Sequence, residues 1–111
     1  MTAYAVAVLH KVEMGPAIVE YLEKIDATLA PFGGRYIIHG GGRKAVLEGA
    51  WPGDLIVIAF PDRTAAAAWY DSPAYRAIKP LRTDHSAGDV VLVDGVGTDH
   101  RATDVLAAEG H

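Results

Sequence analysis

Six consecutive apolar residues, Leu55-Ile56-Val57-Ile58-Ala59-Phe60, end abruptly at Pro61-Asp62. The run is too short for an ordinary helix and far too short to cross a bilayer. Its residues are apolar on both faces, so as a strand it belongs inside a sheet rather than at an edge. A second stretch, Tyr4-Ala5-Val6-Ala7-Val8-Leu9-His10, has the same two-faced character and reads as another central strand. The rest of the chain has to be arranged around these two.

Arg35-Tyr36-Ile37-Ile38-His39 and Val90-Val91-Leu92-Val93 supply two further strands. Between the first pair of strands, Gly15-Pro16 opens a helix in which Ile18, Leu22, Ile25 and Leu29 recur at helical spacing, with Tyr21 beside them. Pro31 and Gly33-Gly34 end it. After the apolar run, Asp62 is placed to cap a helix that breaks and restarts at Ser72-Pro73. Tyr75, Ile78 and Leu81 then share one helical face. Gly40-Gly41-Gly42 turns the chain, Lys44-Ala45-Val46-Leu47-Glu48 reads as a short extended return, and Trp51 lies on the following turn, placed to cover a pocket or reach across a dimer. The glycines are no phosphate loop, because no helix follows them. A lid or hairpin arm fits them better.

The order strand, helix, strand, strand, helix, strand predicts an α+β, ferredoxin-like βαββαβ sandwich. Its four-stranded antiparallel sheet carries the helices on one face. The opposite sheet face is also apolar, which calls for a partner. A homodimer with the sheets packed face to face, a dimeric α+β barrel, is expected. At 111 residues the chain is one domain, read as residues 1–96 followed by a polar tail, 97–111, with one apolar turn at Val105 to Ala108.

A net charge of −4 without any basic run argues against nucleic acid. The absence of cysteine excludes disulfides, thiolate metal sites and cysteine nucleophiles. No membrane association is expected, and a chain opening on Met1-Thr2-Ala3-Tyr4, with no basic segment before an apolar one, is expected in the cytoplasm.

Several segments resemble domain-of-unknown-function family 1330 of the dimeric α+β barrel superfamily. They are Gly33-Gly34-Arg35-Tyr36, His39-Gly40-Gly41, Leu47-Glu48-Gly49-Ala50-Trp51, Phe60-Pro61-Asp62, Trp69 to Tyr75, Leu81-Arg82 and Val93-Asp94-Gly95-Val96. The resemblance implies a ferredoxin-like protomer and a homodimer, and no established reaction. Members of that family commonly carry Arg at the position of His39 and Glu at that of Ala59. If the two positions are neighbours, the change enlarges a cavity and leaves an imidazole facing it.

Imidazole suits proton transfer near neutral pH, so His39, at a matched family position, is the candidate general acid/base. By strict alternation it shares a face with Ile37 and Arg35. Arg82 is the candidate anion clamp, since guanidinium binds carboxylate in a planar fork. Tyr75 and Trp69 would wall a flat substrate, and the tip of Ser72 is a further candidate contact, although Ser72 is more simply a helix cap. His85 in the last loop, His10 at the end of the first strand and Tyr4 on the face of His10 complete the candidate substrate-binding set. Asp84-His85-Ser86 is no hydrolase triad, because adjacent residues cannot form the relay. Neither a metal nor an organic cofactor is expected: the five histidines form no close helical pair, and nothing singles out a haem ligand.

The first functional expectation is a small homodimeric enzyme doing proton-transfer chemistry on a small aromatic or carbonyl/carboxylate metabolite: isomerisation, cyclisation or lactone opening. The alternatives are a dimer that binds a small molecule without turnover, a cofactor-free oxygenase, and a purely structural interaction domain.

Overall fold

The computed structural model describes residues 1–108. Four strands, β1 (Ala3–Val12), β2 (Arg35–His39), β3 (Asp54–Phe60) and β4 (Ser86–Asp94), form one sheet in the order β2-β3-β1-β4. Every neighbouring pair is antiparallel. The two strands read as doubly apolar, β1 and β3, are the central ones. This is the expected ferredoxin-like α+β arrangement.

Three helices cover one face: α1 (Pro16–Leu29), α2 (Arg63–Tyr70) and α3 (Pro73–Thr83). The start signals act as expected. Pro16 sits at the first position of α1, where its missing N–H costs nothing. The Asp62 carboxylate accepts the Ala65 N–H at 2.8 Å and caps α2. Ser72 Oγ accepts the Tyr75 N–H at 3.2 Å, and its own hydroxyl donates to the Trp69 carbonyl at 2.7 Å. Ser72 thus fastens the end of α2 to the start of α3. At the far end of α1, a single 3₁₀ turn (Ala30–Phe32) stops at Gly33, whose φ of +70° lies in the left-handed region open to glycine.

Alternation along β1 sorts the sheet into two faces. Ala3, Ala5 and Leu9 are buried under the helices, while Tyr4, Val6 and Val8 point the other way. The core between sheet and helices is built around Ile25, Ile58, Phe60, Trp69 and Tyr75. Full burial of side chains this size contributes about 1.5–3 kcal/mol each. Two hydrogen bonds tie the helices together inside it. Trp69 Nε1–H donates to Thr28 Oγ1 at 3.0 Å, and the Tyr21 and Tyr75 hydroxyls meet at 2.8 Å.

The helix-free face carries Ile38, Val91 and Val93, which are 45, 52 and 41% exposed. β1 and β4 exceed their expected lengths, because they stay paired as far as Val12 and Ser86, past a shift in register between Leu9 and Lys11. The expected extended return at Lys44–Glu48 does not pair with any strand among the described residues, and the chain from Gly40 to Gly53 is an irregular arm. In the tail, α4 (Asp104–Ala108) is one short turn of helix with Val105 and Leu106 about half exposed. Residues 109–111 of the tail, His111 among them, lie outside the described residues. Among the described residues no helix is long and apolar enough to cross a membrane.

Candidate functional site

Between the helix layer and the sheet lies a cavity of about 200 Å³. Its floor is made by Ala5 and Ala7 of β1 with Ile56 and Ile58 of β3. The small side chains of a central strand create this space: Ala5 pairs with Ile58 and Ala7 with Ile56 on the helix-covered face. The lining is apolar except for one set of polar groups, Tyr21, Tyr36, His39, Tyr75 and Arg82 above all, with Asp54 and Ser86 at the edge.

His39 reaches this cavity through a β-bulge. Tyr36 stands opposite Ile58 and Ile38 opposite Val57, so two residues advance on β2 for one on β3. The extra residue, Ile37, reverses the alternation. His39, opposite Ile56, therefore shares a face with Tyr36 and not with Ile37 and Arg35, as strict alternation had it. The Tyr36 and His39 rings stack with centroids 4.3 Å apart and planes 14° from parallel. Ala59 stands opposite Arg35 at the other end of β2, so the condition that Ala59 and His39 be neighbours is not met. His39 is exposed on its outer side while lining the cavity.

Tyr21 and Tyr75 project from α1 and α3 and are 8 and 1% exposed. Arg82, two turns beyond Tyr75 along α3, brings its guanidinium over the Tyr21 ring at 6.0 Å and its Nη2–H toward the Tyr75 hydroxyl at 3.5 Å. Among the described residues Arg82 pairs with no carboxylate. Burial opposes its charge, but the phenolic oxygens of Tyr75 and Tyr21 more than offset this and hold its pKa above the ordinary value. Burial, followed by the neighbouring Tyr75 oxygen, pushes the Tyr21 phenol well above its ordinary value. Burial and the Asp26 carboxylate do the same to Tyr36. Both phenols are hydrogen-bond donors that resist ionisation.

Of the residues picked from the sequence, His39, Arg82, Tyr75 and Trp69 all line this cavity. Trp69 is almost wholly buried, its ring 4.2 Å from that of Tyr75. The other four are not among its lining residues. Ser72 is committed to the two backbone contacts of its cap. Tyr4 lies on the opposite sheet face, paired with Ala59 and Val93. His10 is exposed at the register shift, 3.4 Å from Asp89. His85 sits beside Glu13, at 3.9 Å. His10, His39 and His85 do not converge, and no cluster of three or more His, Cys, Asp or Glu side chains with metal-binding geometry occurs among the described residues.

Tyr21 and Tyr36 were missed as site residues. For Tyr21 the signal was present: a tyrosine on the apolar stripe of a helix has a buried hydroxyl that must find a partner. Trp51, for its part, lines a second, more open hollow of about 570 Å³ between the arm and Ile38 and Leu55. Lys44 ties the base of that arm, donating to the Gly53 carbonyl at 3.2 Å and lying 3.7 Å from Asp54.

The chain matches, over residues 2–96, the model of a family described as a domain of unknown function, DUF1330. Among solved structures it is similar to RPA0582, a protein of unknown function from Rhodopseudomonas palustris, with 13% identity and a TM-score of 0.62 over 86% of this chain and 83% of that one. It is similar to a dimeric ferredoxin-like protein of unknown function from Jannaschia sp. CCS1, with 16% identity and a TM-score of 0.63 over 86% of this chain and 100% of that one. A variant of SnoaB, a cofactor-independent oxygenase from Streptomyces nogalater, aligns with 15% identity and a TM-score of 0.56 over 90% of this chain and 98% of that one. At these identities the likeness is one of fold. No curated protein sequence matches the chain significantly.

Proposed function

The chain belongs to the DUF1330 family, and from that premise we propose that it is a cytoplasmic homodimeric enzyme that moves a proton on a small aromatic or carbonyl/carboxylate metabolite without a cofactor. The observation that carries this reading is the Arg82 guanidinium. It is partly buried at an apolar cavity, has no carboxylate partner among the described residues, and lines that cavity together with the His39 imidazole. A cation held this way attracts an anionic group, and the apolar floor accepts the body that carries it. His39 would take a proton from the bound substrate and return it at another atom. Arg82 would hold the negative charge between the two transfers. Tyr75 and Trp69 would wall the substrate. Isomerisation, cyclisation and lactone opening all fit this cycle.

The homodimer rests on the helix-free sheet face, where Ile38, Val91 and Val93 leave apolar surface in water. Burying it against a second copy closes the barrel. The dimeric ferredoxin-like structural relative from Jannaschia supports a homodimer.

Native mass spectrometry of freshly purified protein tests both parts. Two chains plus a discrete small adduct support the dimer and give the ligand's mass. A clean monomer would sink the face-to-face packing. A second reading, a cofactor-free oxygenase, is favoured by the fold shared with SnoaB. Oxygen uptake with an electron-rich phenol separates it from proton transfer, and recovery of the ligand unchanged would identify a binding protein.

A further inference from the structure

We infer that Tyr21, Tyr75 and Arg82 form an oxyanion hole for a substrate that binds or reacts as an enolate or phenolate, rather than a clamp for a resting carboxylate. This deepens the proposed function and rests on it. The argument is a count of donors. A tyrosine hydroxyl has one hydrogen to give, and a guanidinium only donates. The Tyr21 and Tyr75 hydroxyls are 2.8 Å apart, so one donates to the other. Arg82 Nη2 points at the Tyr75 oxygen from 3.5 Å. Whichever hydroxyl donates within the pair, the other keeps a hydrogen with no acceptor among the described residues. One O–H and the remaining N–H groups of an unpaired guanidinium are left over in an apolar cavity. These spare donors have no acceptor of their own, and an oxyanion supplies one.

Three features favour an enolate or phenolate. The Tyr21 hydroxyl and Arg82 Nη2 lie 2.8 and 3.5 Å from the Tyr75 hydroxyl, so the spare donors are crowded together, which suits one oxygen better than the two of a carboxylate. Burial keeps the Tyr21 phenol protonated, and a phenol donating to an oxyanion makes a short, charge-assisted hydrogen bond. The stacked His39 on the same cavity provides the proton acceptor that creates such an anion in place. Removing a C–H or O–H proton to the imidazole leaves the electron pair on the substrate oxygen. Returning that proton at another atom restores the neutral product, with no oxidant required. Donors fixed in advance where charge develops accelerate the step rather than only tightening binding.

The test uses the intact protein and three probes of similar size: 4-nitrophenol, 4-nitrobenzoate and 4-nitroanisole. One pH unit below its pKa, the free phenol is about one-tenth ionised. Binding to the wild type should raise the phenolate absorbance severalfold. Tyr21→Phe and, independently, Tyr75→Phe should each weaken phenolate binding roughly tenfold or more, while 4-nitroanisole binding stays within about twofold. If the phenol binds without gaining phenolate absorbance, the oxyanion hole is wrong. If 4-nitrobenzoate binds as tightly, with the same dependence on Tyr21, the anion site stands and the enolate class falls. If no anion binds and Arg82→Gln changes nothing, the proposed function itself falls.

Discussion

The hydroxyl of Tyr21 lies 2.8 Å from the hydroxyl of Tyr75, 54 residues away in the chain, and joins the middle of α1 to the first turn of α3. Their rings meet edge to face with centroids 6.2 Å apart. The contact locks two helices across the roof of the cavity and aims two polar tips at the same place.

Because the pair is buried, its hydrogen bond should be measurable as a coupling. Tyr21→Phe, Tyr75→Phe and the double variant, compared by urea denaturation, should give a coupling energy of about 1 kcal/mol. Strict additivity would mean that the hydroxyls do not bond in solution.

Stability should fall in alkali. Tyr21 and Tyr36 are raised above their ordinary value of 10.0, so the folded state holds these protons more tightly than the unfolded one. Their contribution is complete below pH 10 and is lost as pH climbs from there toward the folded-state values. Tyr21→Phe should flatten this loss, measured as the denaturation midpoint at neutral pH and above pH 10. An equally steep loss in Tyr21→Phe and Tyr36→Phe would remove these phenols as its source.

Gly88 is predicted to resist substitution although it lies in a strand. A Cβ there would come 2.2 Å from the Val8 carbonyl oxygen and 2.9 Å from the Leu9 Cα, both backbone atoms. Gly88→Ala should cost more than about 2 kcal/mol or prevent folding. Gly42→Ala, where a Cβ meets nothing within 4 Å, should stay within about 0.5 kcal/mol of the parent. Equal melting temperatures for the two would contradict the close approach of β1 and β4.

Replacing His39 by Ala or Gln should reduce turnover by about 10²–10⁴-fold once a substrate is in hand, with the oligomeric state unchanged by native mass spectrometry. Unaltered turnover would take His39 out of the mechanism.

Ser72→Ala should act on stability and not on binding. The loss of the cap should cost about 0.5–2 kcal/mol in denaturation. The affinity for a cavity ligand should stay close to that of the parent, because Ser72 does not line the cavity. A large loss of affinity at unchanged stability would return Ser72 to the site.

The architecture is legible in the sequence, because its signals are local. The unbroken run Leu55–Phe60, the caps at Asp62 and Ser72, the proline at the head of α1 and the glycine after it each act within a few residues. Their order leaves few topologies open. Tyr75, Trp69 and Arg82 could be picked for the same reason, being chemically distinctive residues at the restart and along one helix. The side of the sheet that His39 faces is a matter of tertiary pairing, since the bulge at Ile37 shifts a register that alternation along β2 alone does not contain. Packing also brought Tyr21 to Tyr75 and left Arg82 without a carboxylate among the described residues, because those relations depend on how α1 crosses α3 over the sheet. It also separated Tyr4 from the cavity, for Tyr4 stands on the far side of a strand whose near side, Ala5 and Ala7, makes its floor, and it left His10 exposed at the register shift. Periodicity specifies a face within an element. Which faces meet, and which donors are left without acceptors, is fixed only when the elements pack.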